Sequence, residues 1–187
     1  TTWQVTDFNS YDITGGNWGR TMWFADTFYF AGDNGTGEDL WAYNLSNNTP
    51  WQVSDTQVNY DAQPGQYIWE LVGDTIYFDA ITDNYNDRQL WAYDTSNQSI
   101  WHVTNFHFDN AGHHFSMVMD DTIYFDGNDG ITGIEPWAYN TTNGTIWQLA
   151  DINQDSLDHS YPGMGQSSAR PDGTSGPYII GDSFYFD

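Results

Sequence analysis

The chain has 187 residues, of which 18% are aromatic, and a formal net charge of −23 from 26 acidic side chains against three arginines. Nucleic-acid binders need cations to displace phosphate counterions, and anionic membranes attract basic surfaces, so we expect neither as a partner. The chain has no cysteine, which excludes disulfides and thiolate chemistry. No apolar run approaches the about 20 residues that span a bilayer, so no membrane insertion is expected.

Short β-rich segments recur along the whole chain. A predicted strand opens the chain at Trp3, and its Trp-Gln-Val signature returns in related form at Trp51, Trp101 and Trp147, 46 to 50 residues apart. A second signature, an aromatic residue or isoleucine followed by Tyr-Phe, occurs at residues 28–30, 76–78, 123–125 and 184–186. Repeats of this length are typical of stacked β-units, as in propellers.

Each repeat predicts four antiparallel strands, named A to D. In the second repeat the β-rich runs are residues 66–72, 75–78, 90–93 and 100–103. A tight hairpin is predicted at Gly73-Asp74, because glycine tolerates a positive φ. In such a meander the A–B and C–D turns lie on one side of the sheets, and the longer B–C and D–A loops lie on the other.

These patterns predict an all-β fold, a single β-propeller-like domain over residues 1–187 made of four-stranded antiparallel blades. About four repeats are present, and the last is incomplete because only its A and B strands follow the final loop. The strand at Trp3 can add a D strand to that blade from the other end of the chain. Three explanations stay open: a three-stranded blade, a strand supplied by a neighbouring subunit, or a section of a larger propeller. A β-trefoil is the alternative fold.

The third strands carry a recognisable motif. Residues 38–41 (Glu-Asp-Leu-Trp), residues 126–135 (Asp-Gly to Gly-Ile-Glu) and residues 181–186 (Gly-Asp-Ser-Phe-Tyr-Phe) resemble the hyalin-like, ELWxxDGTxxGT-type repeats of large bacterial and archaeal surface proteins. This resemblance implies a propeller-like fold and a place on the cell surface. Pro136 stands where the motif has leucine, and the Asp-Gly-Thr after the tryptophan is missing. Residues 90–101 have a weaker likeness to quinoprotein-type propeller repeats.

The long loops define the expected binding surface. The D–A loops run over residues 7–19, 54–65, 104–112 and 151–176 on the same side as the B–C loops. Binding residues are disproportionately found on loops that a rigid scaffold positions. The insertion at 151–176 is the longest, and a loop of this kind is either functional or disordered.

Calcium is the cofactor that the sequence favours. Oxygen donors lie beside glycines in two B–C loops, as hard cations require. The spacing does not match an EF-hand, and Asp and Asn also form turns, so turn formation is the alternative. The predicted ligands are Asp33, Glu38, Asp39, Asp126, Asn128, Asp129 and Glu135.

Histidines cluster in one repeat only, at His102, His107, His113 and His114. A transition-metal site is conceivable there, but packing or solvated histidines are the favoured interpretation. No nucleophile elbow, metalloprotease helix or phosphate-binding glycine loop occurs, and no pair among the many carboxylates is singled out. We therefore expect a protein that is not an enzyme.

Six Asn-x-Ser/Thr triplets occur, and five of them fall in the equivalent C–D turns. Such triplets are acceptors for N-linked glycans in exported proteins, although asparagine-rich turns also produce them by chance. The predicted glycosylation sites are Asn34, Asn44, Asn47, Asn97, Asn140 and Asn143.

The sequence thus predicts a non-catalytic, extracellular or cell-surface repeat protein of a marine or salt-adapted microbe, since high net charge favours solubility in salt. Its expected role is adhesion or assembly with other copies of itself or other surface proteins, including polymerisation by strand exchange through the incomplete blade. The alternative is a glycan- or calcium-binding propeller module that uses the long-loop side.

Overall fold

The computed structural model describes residues 21–35, 37–55, 62–82, 88–106, 111, 115–152, 178–180 and 183–185. These residues form fourteen strands and no helix, and so contain no helix able to cross a membrane. The strands are β1 (Met22–Phe24), β2 (Thr27–Asp33), β3 (Glu38–Asn44), β4 (Thr49–Gln52), β5 (Trp69–Val72), β6 (Thr75–Ile81), β7 (Arg88–Asp94), β8 (Ser99–His102), β9 (Ser116–Met119), β10 (Thr122–Asn128), β11 (Ile134–Asn140), β12 (Ile146–Gln148), β13 (Tyr178–Ile180) and β14 (Ser183–Tyr185).

The strands form three antiparallel four-stranded meanders in chain order, β1–β4, β5–β8 and β9–β12, which confirms the predicted all-β repeats. β13 and β14 form a two-stranded hairpin. Its register pairs Tyr178 with Tyr185, as the second sheet pairs Glu70 with Tyr77, so it corresponds in register to an A–B hairpin. The predicted strand at Trp3, and the insertion beyond Ile152, lie outside the described residues.

The A–B hairpins turn on a residue with left-handed backbone. The φ angle is 50° at Ala25, 59° at Gly73 and 54° at Asp120, so the hairpin predicted at Gly73-Asp74 recurs in all three sheets with different first residues. Left-handed backbone brings Cβ too close to the following carbonyl oxygen in any residue except glycine. Ala25 and Asp120 therefore carry strain that Gly73 avoids.

The A–B and C–D turns lie along the same edge of each sheet, as predicted. In the first sheet the backbone N–H of Leu45 donates to the carbonyl of Asp26 (2.8 Å). The second sheet repeats this bond from Thr95 to Asp74 (2.9 Å). We call this edge the turn face, and the opposite edge, where the B–C and D–A loops leave the strands, the loop face.

Neighbouring sheets pack face to face through equivalent tyrosines. Tyr29 on β2 contacts Tyr93 on β7, with ring centroids 6.1 Å apart. Tyr77 on β6 contacts Tyr139 on β11 in the same way, at 5.8 Å. All four tyrosines are buried, and fully burying a side chain of this size contributes about 1.5–3 kcal/mol. The second sheet is thus covered on both faces.

Tryptophans of the D strands reinforce the same interfaces. Trp51 on β4 donates its indole N–H to the Tyr93 hydroxyl of the next sheet, and Trp101 on β8 does the same to Tyr139. The tryptophan must be the donor because its indole nitrogen has no acceptor capacity. Two of the periodic Trp landmarks of the sequence, Trp51 and Trp101, are therefore links between neighbouring sheets.

The first strands of adjacent sheets lie close together, and the fourth strands lie at the outside. Ser116 on β9 donates its hydroxyl to Glu70 on β5 (2.8 Å). β4, β8 and β12 each pair with one neighbour in the described structure and form the outer edges. Sheets that share an inner strand region and separate outwards are arranged as in propeller blades.

A reciprocal pair of substitutions tests the strain in the A–B turns. Ala25→Gly should raise the free energy of unfolding by about 0.5–1 kcal/mol, because the left-handed conformation costs alanine more than glycine. Gly73→Ala should lower the free energy of unfolding by a similar amount. An added Cβ there meets nothing within 4 Å, so the cost of the left-handed conformation is the only expected effect. Urea unfolding measures both, and a loss on Ala25→Gly would contradict the prediction.

The tyrosine interface predicts sensitivity to alkali. Burial, together with the charge of Tyr93, raises the pKa of Tyr29 from 10.0 to about 12. A raised folded-state pKa means that the stabilisation is fully present below pH 10.0 and is lost as the pH rises towards about 12. Urea midpoints measured across this range should fall, and should fall less steeply in Tyr29→Phe. Equal slopes in the two proteins would show that Tyr29 is not responsible.

Candidate binding face

A buried polar side chain occupies the second position of every third strand, next to the loop face. The three residues are Asp39, Gln89 and Glu135, and all are buried. A polar group in such a place is costly unless it is hydrogen-bonded. The partners of these three side chains therefore explain how the loops are attached to the sheets.

In the first sheet a hydroxyl just beyond β4 satisfies two groups at once. The Ser54 hydroxyl accepts from the backbone N–H of Leu40 (2.9 Å) and donates to Asp39 (3.4 Å). Gln52 donates its amide to the other carboxylate oxygen of Asp39 (2.9 Å). The start of the D–A loop is thereby attached to the third strand.

The second sheet uses the same device with different residues. The Thr104 hydroxyl accepts from the backbone N–H of Leu90 (2.9 Å) and donates to Gln89 (2.7 Å). Gln89 also accepts from the backbone N–H of Phe106 and donates to its carbonyl. The Phe106 ring then packs on Trp137 of the third sheet at 4.9 Å, so this loop also joins two sheets.

In the third sheet both the backbone N–H group and the hydroxyl that accepts from it are missing. Pro136 replaces the leucine and has no N–H, and Ala150 replaces the hydroxyl residue. Glu135 accepts from the backbone N–H of Ile152 through Oε2 (3.1 Å). Its Oε1 has no hydrogen-bond partner within the described part of the chain. The departure of Pro136 from the surface-protein motif is thus matched by the loss of the hydroxyl that would have served a backbone N–H.

A buried ion pair lies on the second sheet beside the loop face. Asp79 is fully buried and accepts from Arg88 and from the backbone N–H groups of Tyr67 (2.9 Å) and Ile68 (2.6 Å). Burial raises the pKa of Asp79, while the Arg88 guanidinium and the two amides oppose that shift. Removing the arginine would leave an uncompensated buried charge, which typically costs about 3–5 kcal/mol.

Arg88 holds the D–A loop from several sides. Its guanidinium donates to the backbone carbonyl of Gln63 (3.1 Å) and to the side-chain oxygens of Gln63 and Gln66. It also lies over the Tyr67 ring, 5.1 Å from the centroid. One arginine therefore fixes the backbone on which this part of the loop face rests.

The equivalent carboxylate of the third sheet, Asp126, is also fully buried. It accepts from the backbone N–H of Phe115 (3.2 Å), as Asp79 does from Ile68. Ile134 takes the place of the arginine there, and Ala31 takes the place of the aspartate in the first sheet. The strand register at this position is therefore constant, whereas its charge varies.

The register separates several predicted calcium ligands of the third sheet. Asp126 and Asn128 lie on one face of β10, whereas Glu135 pairs with Gly127 and faces the other way. Asp129 accepts from the N–H groups of Ile131 and Thr132 and from the Thr132 hydroxyl. These bonds lower the pKa of Asp129, although burial acts to raise it.

The first loop brings two predicted ligands together. Asp33 lies directly opposite Glu38, and Asp33 also accepts from the N–H groups of Gly35 (2.6 Å) and Gly37 (3.1 Å). Asp39, the other predicted ligand of this loop, is held by Ser54. Among the residues with described positions, no three His, Asp or Glu side chains are grouped as a metal site. The calcium site remains a prediction.

The loop of the third sheet presents an exposed apolar residue on a hydrogen-bonded turn. Ile131 is 71% exposed. Asp129 and Asn128 cap the backbone around it, and Gln148 donates to the Thr132 hydroxyl at 3.1 Å. A rigidly held, exposed apolar side chain can bind a partner with little loss of conformational entropy.

The predicted histidine cluster is described only in part. His102 packs edge-on against Trp91, with ring centroids 3.7 Å apart, which agrees with a packing role. His107, His113 and His114 lie outside the described residues.

Sequence reasoning did not find Asp79, Arg88, Ser54 or Thr104. One signal was available, because Arg88 is one of only three cations in the chain. These residues bind loop backbone and one another, so the arrangement positions loops, and none of their bonds orients a nucleophile.

No protein-family model and no curated protein matches the chain. A puromycin-hydrolysing peptidase of Mycobacterium tuberculosis is similar over 83% of this chain and 24% of its own, at 14% identity and a TM-score of 0.54. A puromycin hydrolase gives the same coverages at 13% identity and a TM-score of 0.50. TolB from Acinetobacter baumannii matches 87% of this chain and 37% of its own, at 16% identity and a TM-score of 0.48.

The chain therefore spans 24% to 37% of the length of these three proteins. At such identities the likeness shows the fold alone. It supports a β-propeller-like arrangement of the three sheets.

The hydroxyl device gives a matched pair of variants. Thr104→Val keeps the shape but leaves the Leu90 N–H buried without a partner, so the free energy of unfolding should fall by about 2 kcal/mol. Ala150→Ser places a hydroxyl where there is no N–H to serve but where Glu135 lacks a donor, so it should be neutral or stabilising. Chemical denaturation measures both, and equal losses in the two variants would contradict this account.

Proposed function

We propose that the chain is a non-catalytic, propeller-like repeat domain of an extracellular or surface protein, and that it acts in adhesion through its loop face. The observation that carries the proposal is that the buried polar side chains behind this face hold loop backbone. Asp79 and Arg88 anchor the segment from Gln63 to Ile68, and Gln89 anchors Phe106. Loops of different sequence are thus presented on a repeated, rigid support.

The chemistry of this face favours binding over catalysis. A catalytic carboxylate must reach a substrate, but Asp79 and Asp126 are fully buried and accept from backbone amides. Ile131, by contrast, is exposed on a capped loop, as a binding residue would be. The hydrolase activities of the similar structures belong to proteins several times longer than this chain and are not carried over.

The charge suits a protein that works in salty surroundings, which supports the proposed marine or salt-adapted source. With 26 acidic side chains, three arginines and a net charge of −23, the surface stays soluble and repels its own copies at low salt. High ionic strength screens that repulsion, because the Debye length falls to about 3 Å at 1 M salt. A marine or salt-adapted source therefore suits both solubility and adhesion.

Two further roles remain predictions. Calcium would bind at Asp33 and Glu38, since like charges directly opposite on a sheet destabilise each other and a cation would relieve this. Assembly by strand exchange would involve the unit that contains β13 and β14, together with the strand at Trp3.

Loop-face adhesion is tested with one variant on each face. Ile131→Ser should weaken binding to a panel of immobilised polysaccharides and surface proteins by about tenfold, because truncating an apolar anchor costs more than 1 kcal/mol. Leu45→Ser changes a residue that is 47% exposed on the turn face and should have no effect. Surface plasmon resonance in high salt, with and without Ca²⁺, provides the readout.

Two outcomes would replace this proposal. If both variants bind equally to every member of the panel, the loop face is not the adhesive surface. If light scattering gives a mass many times 21.4 kDa for the purified chain, assembly is the primary function.

A further inference from the structure

The C–D turns at the turn face are built by pairs of asparagines. In the first sheet, Asn44 accepts from the backbone N–H groups of Ser46 (2.8 Å) and Asn47 (3.2 Å). Asn47 then accepts from both the N–H (3.1 Å) and the hydroxyl (2.5 Å) of Thr49. Both asparagines begin an Asn-x-Ser/Thr triplet, but their amide groups are in different situations.

The third sheet repeats this turn. Asn140 accepts from the N–H groups of Thr142 (3.1 Å) and Asn143 (3.0 Å). Asn143 accepts from the N–H (2.9 Å) and the hydroxyl (2.7 Å) of Thr145. In both turns the second asparagine is thus bonded through its oxygen to the hydroxyl of its own triplet.

The triplets of the first asparagines are engaged elsewhere. The Ser46 hydroxyl donates to Asp26 (2.8 Å), and the Thr142 hydroxyl donates to Asp121 (2.7 Å). The Asn140 side chain also bonds to Asp121. The hydroxyl of each first triplet therefore serves an A–B turn, and these asparagines are structural.

The second sheet differs at one residue. Asp94 stands where the other turns have Asn44 and Asn140, and a carboxylate can only accept. Asn97 donates its amide Nδ2 to Asp94 (2.8 Å) while its oxygen accepts from the Ser99 N–H (2.9 Å). Hydrogen bonds from Ser96, with a further contribution from Asn97, lower the pKa of Asp94, so it is ionised near neutral pH.

No acceptor within the described residues engages the Nδ2 of Asn47 or Asn143, and both side chains are exposed. We propose that these two asparagines are N-glycan acceptor sites of the folded chain. We also propose that the hydrogen bond to Asp94 hinders glycosylation of the equivalent Asn97. The third residue of the Asn34 triplet, Thr36, lies outside the described residues. Sugars at these sites would cover the turn face and leave the loop face open.

The transfer needs an activated sugar, such as a nucleotide sugar. The Nδ2 atom attacks the anomeric carbon, and a carbon–nitrogen bond forms as the bond from the sugar to the nucleotide phosphate breaks. The nucleoside diphosphate leaves with the bonding electrons, and one Nδ2 proton passes to a base of the transferase. An Nδ2 already bonded to a carboxylate must give up that bond first, which disfavours Asn97.

The test compares the folded protein with its own proteolytic peptides. Both are incubated with a soluble N-glycosyltransferase and UDP-glucose, and each site is quantified by peptide mass spectrometry. In the folded protein, Asn47 and Asn143 should be modified about tenfold faster than the other C–D turn triplets, roughly the effect of one hydrogen bond. In the peptides, where no turn exists, only the preference of the enzyme for threonine should remain, so Asn140, whose triplet also ends in threonine, should react as fast as Asn47 and Asn143.

Two variants separate the turn geometry from the preference of the enzyme for threonine over serine. With Oδ1 still bonded to Ser96, Asp94→Asn puts an amide NH2 in place of the oxygen that accepts from Asn97, and should raise modification of Asn97 in the folded protein. Ser99→Thr changes the triplet but keeps Asp94, and should leave Asn97 slow. Site-resolved peptides distinguish Asn97 from the new triplet that Asp94→Asn creates.

The proposal is overturned if the folded protein and its peptides show the same site preference, or if Ser99→Thr alone activates Asn97. Circular dichroism confirms that each variant is folded before the reaction. The reaction in vitro requires neither export nor adhesion, so its outcome is independent of the proposed role of the loop face.

Discussion

The structure depends on the need of each four-stranded sheet to bury both of its faces. A meander of this size is apolar on two sides, so it is stable only between neighbours. Each interface meets this need with a tyrosine ring contact between adjacent sheets and an indole N–H that crosses to a tyrosine hydroxyl, as in Tyr29, Trp51 and Tyr93. The 50-residue spacing of Trp51 and Trp101 agrees with this contact, because each brings its indole to the tyrosine of the next sheet.

The loop face must bury polar groups, since the loops need fixed anchor points and water is excluded behind them. Ser54 and Thr104 solve the problem by joining a backbone N–H to a side-chain oxygen. The third sheet shows that this is one coupled device: with Pro136 there is no N–H to satisfy, and Ala150 has no hydroxyl. Glu135 still accepts from the backbone N–H of Ile152, as Gln89 accepts from the backbone N–H of Phe106. A buried acceptor that lacks a donor lowers the free energy of unfolding, typically by about 1–3 kcal/mol.

The all-β repeats, their strand order and the positions of the turns could be predicted from the sequence. Strands and tight turns are specified by residues that are adjacent in the chain, such as the recurring aromatic runs and Gly-Asp. The polar anchors could not. Asp79 and Arg88 are nine positions apart and meet only because β6 and β7 pair in one register. The calcium prediction grouped Asp126 with Glu135 by proximity in sequence, whereas strand alternation puts them on opposite faces of the third sheet. Pairing register therefore decides which nearby residues can act together.

The three sheets also separate positions that keep the same residue from positions that vary. Tyrosines that recur in the second and third strands pack between sheets at both described interfaces. The positions that differ most border the loop face, where the set Ala31, Asp79 and Asp126 and the set Glu38, Arg88 and Ile134 change charge from sheet to sheet. The scaffold tolerates such changes only where the local loop supplies compensating bonds, as around Arg88. The loops of the three sheets are therefore held by different buried groups, while the packing between sheets keeps the same form.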